Sequence, residues 1–228
     1  MGTTGIFQTK RLAILFIALV FALTSCSVFQ SSAEKEFKGI AYANAKYDVV
    51  IQYPQNWRII DKRSSDAEAF AINILKKGIL AEKRLPLGVY ADMQLSYVAI
   101  WPHGLGTELP QSQRVSLKDT TLSLDFNFAV DQKESTLLLL KDGSIWAYFL
   151  RPEQPPASWS NYGFIFAQVS TLQSSIRCYD DQTGKQLSLQ ECDYSKKDYI
   201  IRTGTVDQED AAAIRYILEN IRLTEVKR

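Results

Sequence analysis

The chain has 228 residues, 46% of them hydrophobic and 22% charged, with 26 basic and 25 acidic side chains and a formal charge of +1. That balance suits a packed globular domain and argues against disorder, a collagen-like repeat or a protein of many membrane spans. With no basic excess to displace counterions, nucleic acid is not an expected partner.

At the N-terminus Lys10 and Arg11 precede an apolar run from Leu12 to Leu23, and Thr24-Ser25-Cys26 follows. A short basic region, an apolar run and a small-residue junction describe a secretory signal peptide. Twelve residues at a helical rise of about 1.5 Å reach only about 18 Å, short of a bilayer core of roughly 30 Å, so a permanent span is the weaker reading. The junction Leu23-Thr24-Ser25-Cys26 resembles the lipobox of bacterial lipoproteins. That resemblance implies a diacylglyceryl group on the Cys26 sulfur and cleavage before Cys26. Ser27, standing where an Asp would favour inner-membrane retention, implies an outer-membrane anchor facing the periplasm in a Gram-negative host. An ordinary secretory signal with a coincidental Cys is the alternative. Two or three acyl chains anchor durably where one does not.

Removing residues 1–25 takes away two basic and no acidic side chains, leaving a mature charge of −1. Residues 26–38 are small and polar and read as a flexible tether; 39–228 read as one domain.

Within that domain Tyr47, Val49, Ile51 and Tyr53 alternate with polar neighbours until Pro54, and Trp57–Ile60 resumes extended structure. Ser65–Lys77 fits two patterns. We read it as a second helix, with Ser65 and Glu68 as a capping box and Gly78 as the stop; a strand through Phe70, Ile72 and Ile74 is the alternative. Apolar residues at odd positions from Val89 to Trp101 predict a long strand, buried on both faces where Val98 and Ile100 enter. Leu122, Leu124, Phe126, Phe128 and Val130 form the cleanest alternation in the chain. Lys141-Asp142-Gly143 between two apolar runs, 136–140 and 144–150, predicts a hairpin. Further strands are expected at 164–169 and 199–202. A closing helix carries Ala211, Ile214, Ile217, Leu218 and Ile221 as its stripe, with Thr205 and Gln208 as a capping box. The fold class expected is α+β: an antiparallel sheet of about six to eight strands with a C-terminal amphipathic helix.

The opening segment Gly39…Tyr47-Asp48-Val49-Val50-Ile51-Gln52-Tyr53-Pro54-Gln55-Asn56-Trp57 resembles the entry of PsbP-like and DcrB-like domains, which also close on an amphipathic helix. The resemblance implies an antiparallel sandwich in a non-catalytic accessory or binding protein, and it transfers no functional residue.

With Cys26 assigned to lipid, Cys178 and Cys192 remain, in a chain read as exported. A bridge between them closes a loop of roughly 15 residues, for which the chain-entropy model gives about 3 kcal/mol. No Cys-x-x-Cys spacing suggests redox chemistry, and one His with three Cys does not make a metal set. No cofactor is implied.

Two loops are candidate binding surfaces. The first, Trp101-Pro102-His103-Gly104…Glu108, carries the only histidine. Trp101, His103 and Glu108 are its candidates, and a hydrolase using His103 as general base is the sharp reading of it. A surface or capping His is the plain one. The second, Arg151–Tyr162, holds three of the seven prolines with Trp159 and Tyr162, and serves either for partner docking or as a stiff connector whose Trp159 packs on the sheet. The function expected is a lipid-anchored envelope lipoprotein, a non-catalytic binding or accessory subunit. Its partner is the membrane through Cys26 together with an envelope protein or a small ligand. A carrier of a lipid or apolar ligand is the alternative.

Overall fold

A computed structural model describes residues 37–61, 72–78, 95–104, 113–121 and 124–224. Residues 1–25, expected to be a signal peptide, Cys26, nearly all of the expected tether and Glu108 lie outside these residues, as do 65–71 and 89–94 of the two predicted segments. Among the described residues no helix is long and apolar enough to cross a membrane.

The architecture is mostly antiparallel β-structure with one helix near the C-terminus, compatible with the α+β expectation. Strands β1 (Gly39–Asn44), β2 (Val49–Pro54) and β13 (Ile221–Leu223) form a small sheet in the order β1-β2-β13. The main sheet has seven strands: β3 (Trp57–Asp61), β4 (Ile72–Lys76), β5 (Tyr97–Trp101), β9 (Phe164–Gln168), β8 (Ile145–Leu150), β7 (Thr136–Leu139) and β6 (Arg114–Ser116), in that spatial order. A ribbon of β10 (Thr171–Tyr179) and β12 (Tyr199–Val206), edged by β11 (Gln186–Leu187), makes the third sheet. Among the described residues thirteen strands stand where six to eight were expected: β4 lies where a helix was read, and β1, β6, β10, β11 and β13 are short or half-polar and give no clean alternation.

One face of the main sheet carries Ile72 and Ile74, Val98 and Ile100, Ile165 and Ala167, all fully buried and aligned across the ladder by register. Helix α1 (Gln208–Glu219) buries Ala213, Ile214, Ile217 and Leu218 in the same core, beside Val49 and Ile51 of β2. Its first turn is tied to this face. Asp210, buried, accepts from Lys76 Nζ at 2.6 Å, Ser96 Oγ at 2.5 Å and Ser170 Oγ at 3.1 Å. That hydrogen bond holds the Lys76 ammonium above the ordinary lysine range against the opposing effect of burial. A buried carboxylate with three donors is satisfied as such a group must be. The opposite face is aromatic: Trp101 stacks on Phe164, Phe149 tilts against Phe164, and Tyr97 lies against Phe166.

Several expectations hold. The Asp-Gly hairpin joins β7 to β8 with Gly143 at φ +88°, and Leu140 N donates to Ser144 O at 2.8 Å. The strands at 49–54, 57–60, 164–168 and 199–202 are present, β12 running on to Val206; of the long strand expected over 89–101, Tyr97–Trp101 is strand and Leu95 and Ser96 are not. Cys178 and Cys192 form a disulfide with Cα atoms 5.9 Å apart.

Three expectations are corrected. The second helix is not found over Ile72–Lys76, which is strand β4, central between β3 and β5. Pairing on both edges and burial of Ile72, Ile74 and Leu75 override a helical spacing of apolar residues. Over 124–130 the strand predicted for 122–130 forms no ladder, and 122–123 lie outside the described residues. Residues 124–130 keep alternating burial, with Phe126 against Phe128, but only Val130 bridges, to Pro152. Asn127 Nδ2 instead donates to the Glu219 carbonyl at the C-terminal end of α1. The helix cap is Asp207, whose Oδ1 accepts from Glu209 N at 3.0 Å and Asp210 N at 3.1 Å; Thr205 belongs to β12.

Candidate functional site

Three sequence-distant pieces of backbone meet at one end of the main sheet. The turn between β1 and β2 is shaped by Asn44, whose Oδ1 accepts from Lys46 N and Tyr47 N, and by Asp48 at φ +54°. This turn buries the Tyr47 ring and leaves its carbonyl pointing inward. Trp159 Nε1 donates to that carbonyl at 2.8 Å, and Ser158 Oγ donates to Asp48 Oδ2 at 2.9 Å. The Pro-rich loop is thereby pinned to the first turn by a buried indole.

The third piece is the exit from β5. Gly104 N closes a turn on the Trp101 carbonyl at 3.2 Å, and Ser160 N donates to Pro102 O at 2.9 Å. Two glycines permit this contact. Gly104 has φ +78°, and a Cβ there would lie 2.7 Å from the Tyr162 carbonyl oxygen. At Gly163 a Cβ would lie 2.6 Å from the Trp159 ring and 2.7 Å from Pro102 O. The two loops singled out from sequence are therefore docked on each other.

Their aromatic candidates take different positions. Trp101 is 6% exposed and Trp159 7%, so both rings are part of the core and neither is offered to a partner. Tyr162 is 69% exposed, and His103 is exposed beside it in the loop pair. The His103 ring meets the Tyr47 ring edge-on at 5.9 Å, while Lys46 Nζ sits 5.0 Å from the centroid of that Tyr47 ring. Glu108, the acid paired with His103 in the hydrolase reading, lies outside the described residues, and the ring contact with Tyr47 is what the structure gives for His103. Among those residues no cluster of three His, Cys, Asp or Glu could hold a metal. What the loop pair presents is an exposed phenol and an exposed imidazole on a backbone held by buried anchors, an arrangement suited to binding.

Sequence reasoning located both loops but missed Tyr47 and Asp48, which read as the start of a strand. The Asn44–Tyr47 side-chain turn was the available signal, since Asn readily caps the backbone two and three residues on. The disulfide loop is organised separately. Hydrogen bonds from the Thr183 hydroxyl and amide hold the Asp180 carboxyl below the ordinary range, as the Ser188 hydroxyl and amide do for Glu191. The Ser195 hydroxyl, followed by Lys196, does the same for Asp193.

Compared with protein-family models, curated proteins and solved structures, the chain has no match.

Proposed function

We propose that this protein is a lipid-anchored lipoprotein of the cell envelope, facing the periplasm from the outer membrane in a Gram-negative host and serving as a non-catalytic binding or accessory subunit. Its location rests on the Leu23–Cys26 junction behind a short apolar run. Its role rests on one structural observation: the loops 101–104 and 156–163 are joined by Ser160 N on the Pro102 carbonyl and by two close-approach glycines, the second loop is pinned to the Tyr47 carbonyl by buried Trp159, and Tyr162 is left in solvent. A rigid loop with an exposed aromatic side chain supplies contact area at low entropic cost, which is how binding surfaces are built. The PsbP-like and DcrB-like resemblance points the same way.

The full lipidated protein, purified in mild nonionic detergent, should retain a protein at fixed stoichiometry in native mass spectrometry, and Tyr162→Ala should lose it. Retention unchanged by Tyr162→Ala and by His103→Ala together would remove the loop pair as the surface. Cys26→Ser should move the protein from the membrane to the soluble fraction, and continued membrane retention would contradict the anchor. A carrier of an apolar ligand is the second reading, favoured by the aromatic face of β5, β8 and β9; a co-purified lipid without protein would support it.

A further inference from the structure

The ribbon holds a side chain that neither reading uses. Arg202 of β12 is only 6% exposed, and no other arginine among the described residues is as deeply buried. Its guanidinium lies over the Trp146 ring, 3.9 Å from the centroid. Its Nε and Nη1 are buried without a hydrogen-bond partner, and so is Trp146 Nε1. Two N–H groups of the guanidinium and that of the indole it stacks on thus have no acceptor among the described residues.

A guanidinium stays protonated in any protein setting, so burial does not neutralise it. Stacking on an indole supplies part of the lost hydration but satisfies no N–H, because the attraction acts through the ring face. Tyr97, the ionisable group within its electrostatic reach, does not serve as counter-anion: burial pushes its hydroxyl up and keeps it neutral. No described carboxylate pairs with Arg202; buried Asp198, four residues earlier, accepts from Asp193 N. The site is also fixed in place. Arg202 is paired with Ile176 across the ribbon, and its carbonyl accepts from Lys141 N at 2.9 Å, at the hairpin that carries Trp146. Arg58 and Arg151 also have buried guanidinium nitrogens without a partner, but the rest of each side chain is half-buried where Arg202 is buried whole.

We propose that Arg202 and Trp146 form a receptor for an oxyanion group, the carboxylate or phosphate of a ligand. An acceptor-only group of negative charge satisfies the guanidinium donors and neutralises their charge, which neither a water nor an apolar chain does. The proposal stands apart from the docking role of the 101–104 and 156–163 loops, and either can fail without the other.

The test uses the 15N-labelled full chain in nonionic detergent. It follows the Arg202 Nε–H and Trp146 Nε1–H resonances, assigned from Arg202→Lys and Trp146→Phe. The probes are inorganic phosphate, octanoate and, as an uncharged control, octanol. Octanoate or phosphate should move both resonances saturably. Arg202→Met should weaken that binding by about tenfold or more, as expected for losing a charged hydrogen bond. Arg202→Lys, which keeps the charge but not the planar fork, replaces it as the binding variant if Arg202→Met does not fold. Binding of phosphate alone supports recognition of the free oxyanion; binding of octanoate alone supports an amphiphilic acid. The proposal is overturned if no probe moves either resonance, or if octanol acts as well as octanoate. It is overturned too if the Arg202 signal already lies in the hydrogen-bonded range and no probe shifts it, for then the chain supplies its own acceptor.

Discussion

The 156–163 loop between β8 and β9 and the 180–198 loop between β10 and β12 are both polar, turn-rich connectors, yet different forces order them. In the first, Trp159 is buried and donates to a carbonyl 112 residues away, and Ser158 reaches Asp48 across 110. In the second, Asp180 caps its own turn at Gln182 and Thr183, Glu191 accepts from Ser188, and Asp193 accepts from Ser195. The Cys178–Cys192 bridge then closes that set of local turns. A loop shaped by distant burial stands or falls with the whole domain. A loop shaped by its own side chains and a crosslink can loosen alone.

The largest test of that difference is Trp159→Ala. Removing a buried indole, and with it the donor to the Tyr47 carbonyl, should lower stability by about 3–5 kcal/mol in urea unfolding. A loss under about 1 kcal/mol would show that the ring is no anchor. Next comes Cys178→Ala with Cys192→Ala, expected to lose about 3 kcal/mol on the chain-entropy model. Hydrogen exchange should then rise in the 180–198 loop while the amides of Ser160 and Gly163 stay protected. Equal deprotection of both loops would erase the distinction.

Glycine substitutions sharpen it further. Gly104→Ala meets both a positive φ and the Tyr162 carbonyl and should cost about 1–3 kcal/mol. Gly184→Ala shares the positive φ, +65°, but faces open space, so about 1 kcal/mol is expected. Equal melting temperatures for the two variants would show that the 101–104 turn does not press on Tyr162. The smallest effect is that of acid. The carboxyls of Asp180, Glu191 and Asp193 are held below their ordinary values, so their contribution is complete above the unfolded carboxylate pKa of about 4 and is lost as pH falls through the folded value. Below about pH 4, exchange should therefore rise in 180–198 and not in 156–163; the reverse order would contradict the local-capping account.

The same division explains which predicted elements survived. The Asp142-Gly143 hairpin, the helical stripe from Ala211 to Leu218 and the Cys pair needed only neighbouring residues and are present, whereas Ile221, expected on the same stripe, lies in β13 past the end of the helix. The 124–130 segment is the instructive miss. Alternation correctly assigned which side chains are covered, Phe126 and Phe128 inward and Asp125 and Asn127 outward, but it carries no information about whether a partner strand lies alongside. Ile72–Lys76 shows the converse, since a helical spacing of apolar residues is also compatible with a central strand buried on both faces. In the candidate site, Gly and Pro content marked both loops. Nothing local distinguished Trp159, which is buried, from Tyr162, which is not.

From sequence alone come the hairpin, the closing helix, the paired cysteines and the sidedness of the extended segments. Each depends on spacing or turn chemistry within a few residues. Tertiary structure decided the order of the seven strands, the choice of Asp207 as cap, the meeting of three distant turns around Trp159, and the burial of Arg202 against Trp146. These depend on which surfaces exclude water from one another, and that is a property of the packed chain.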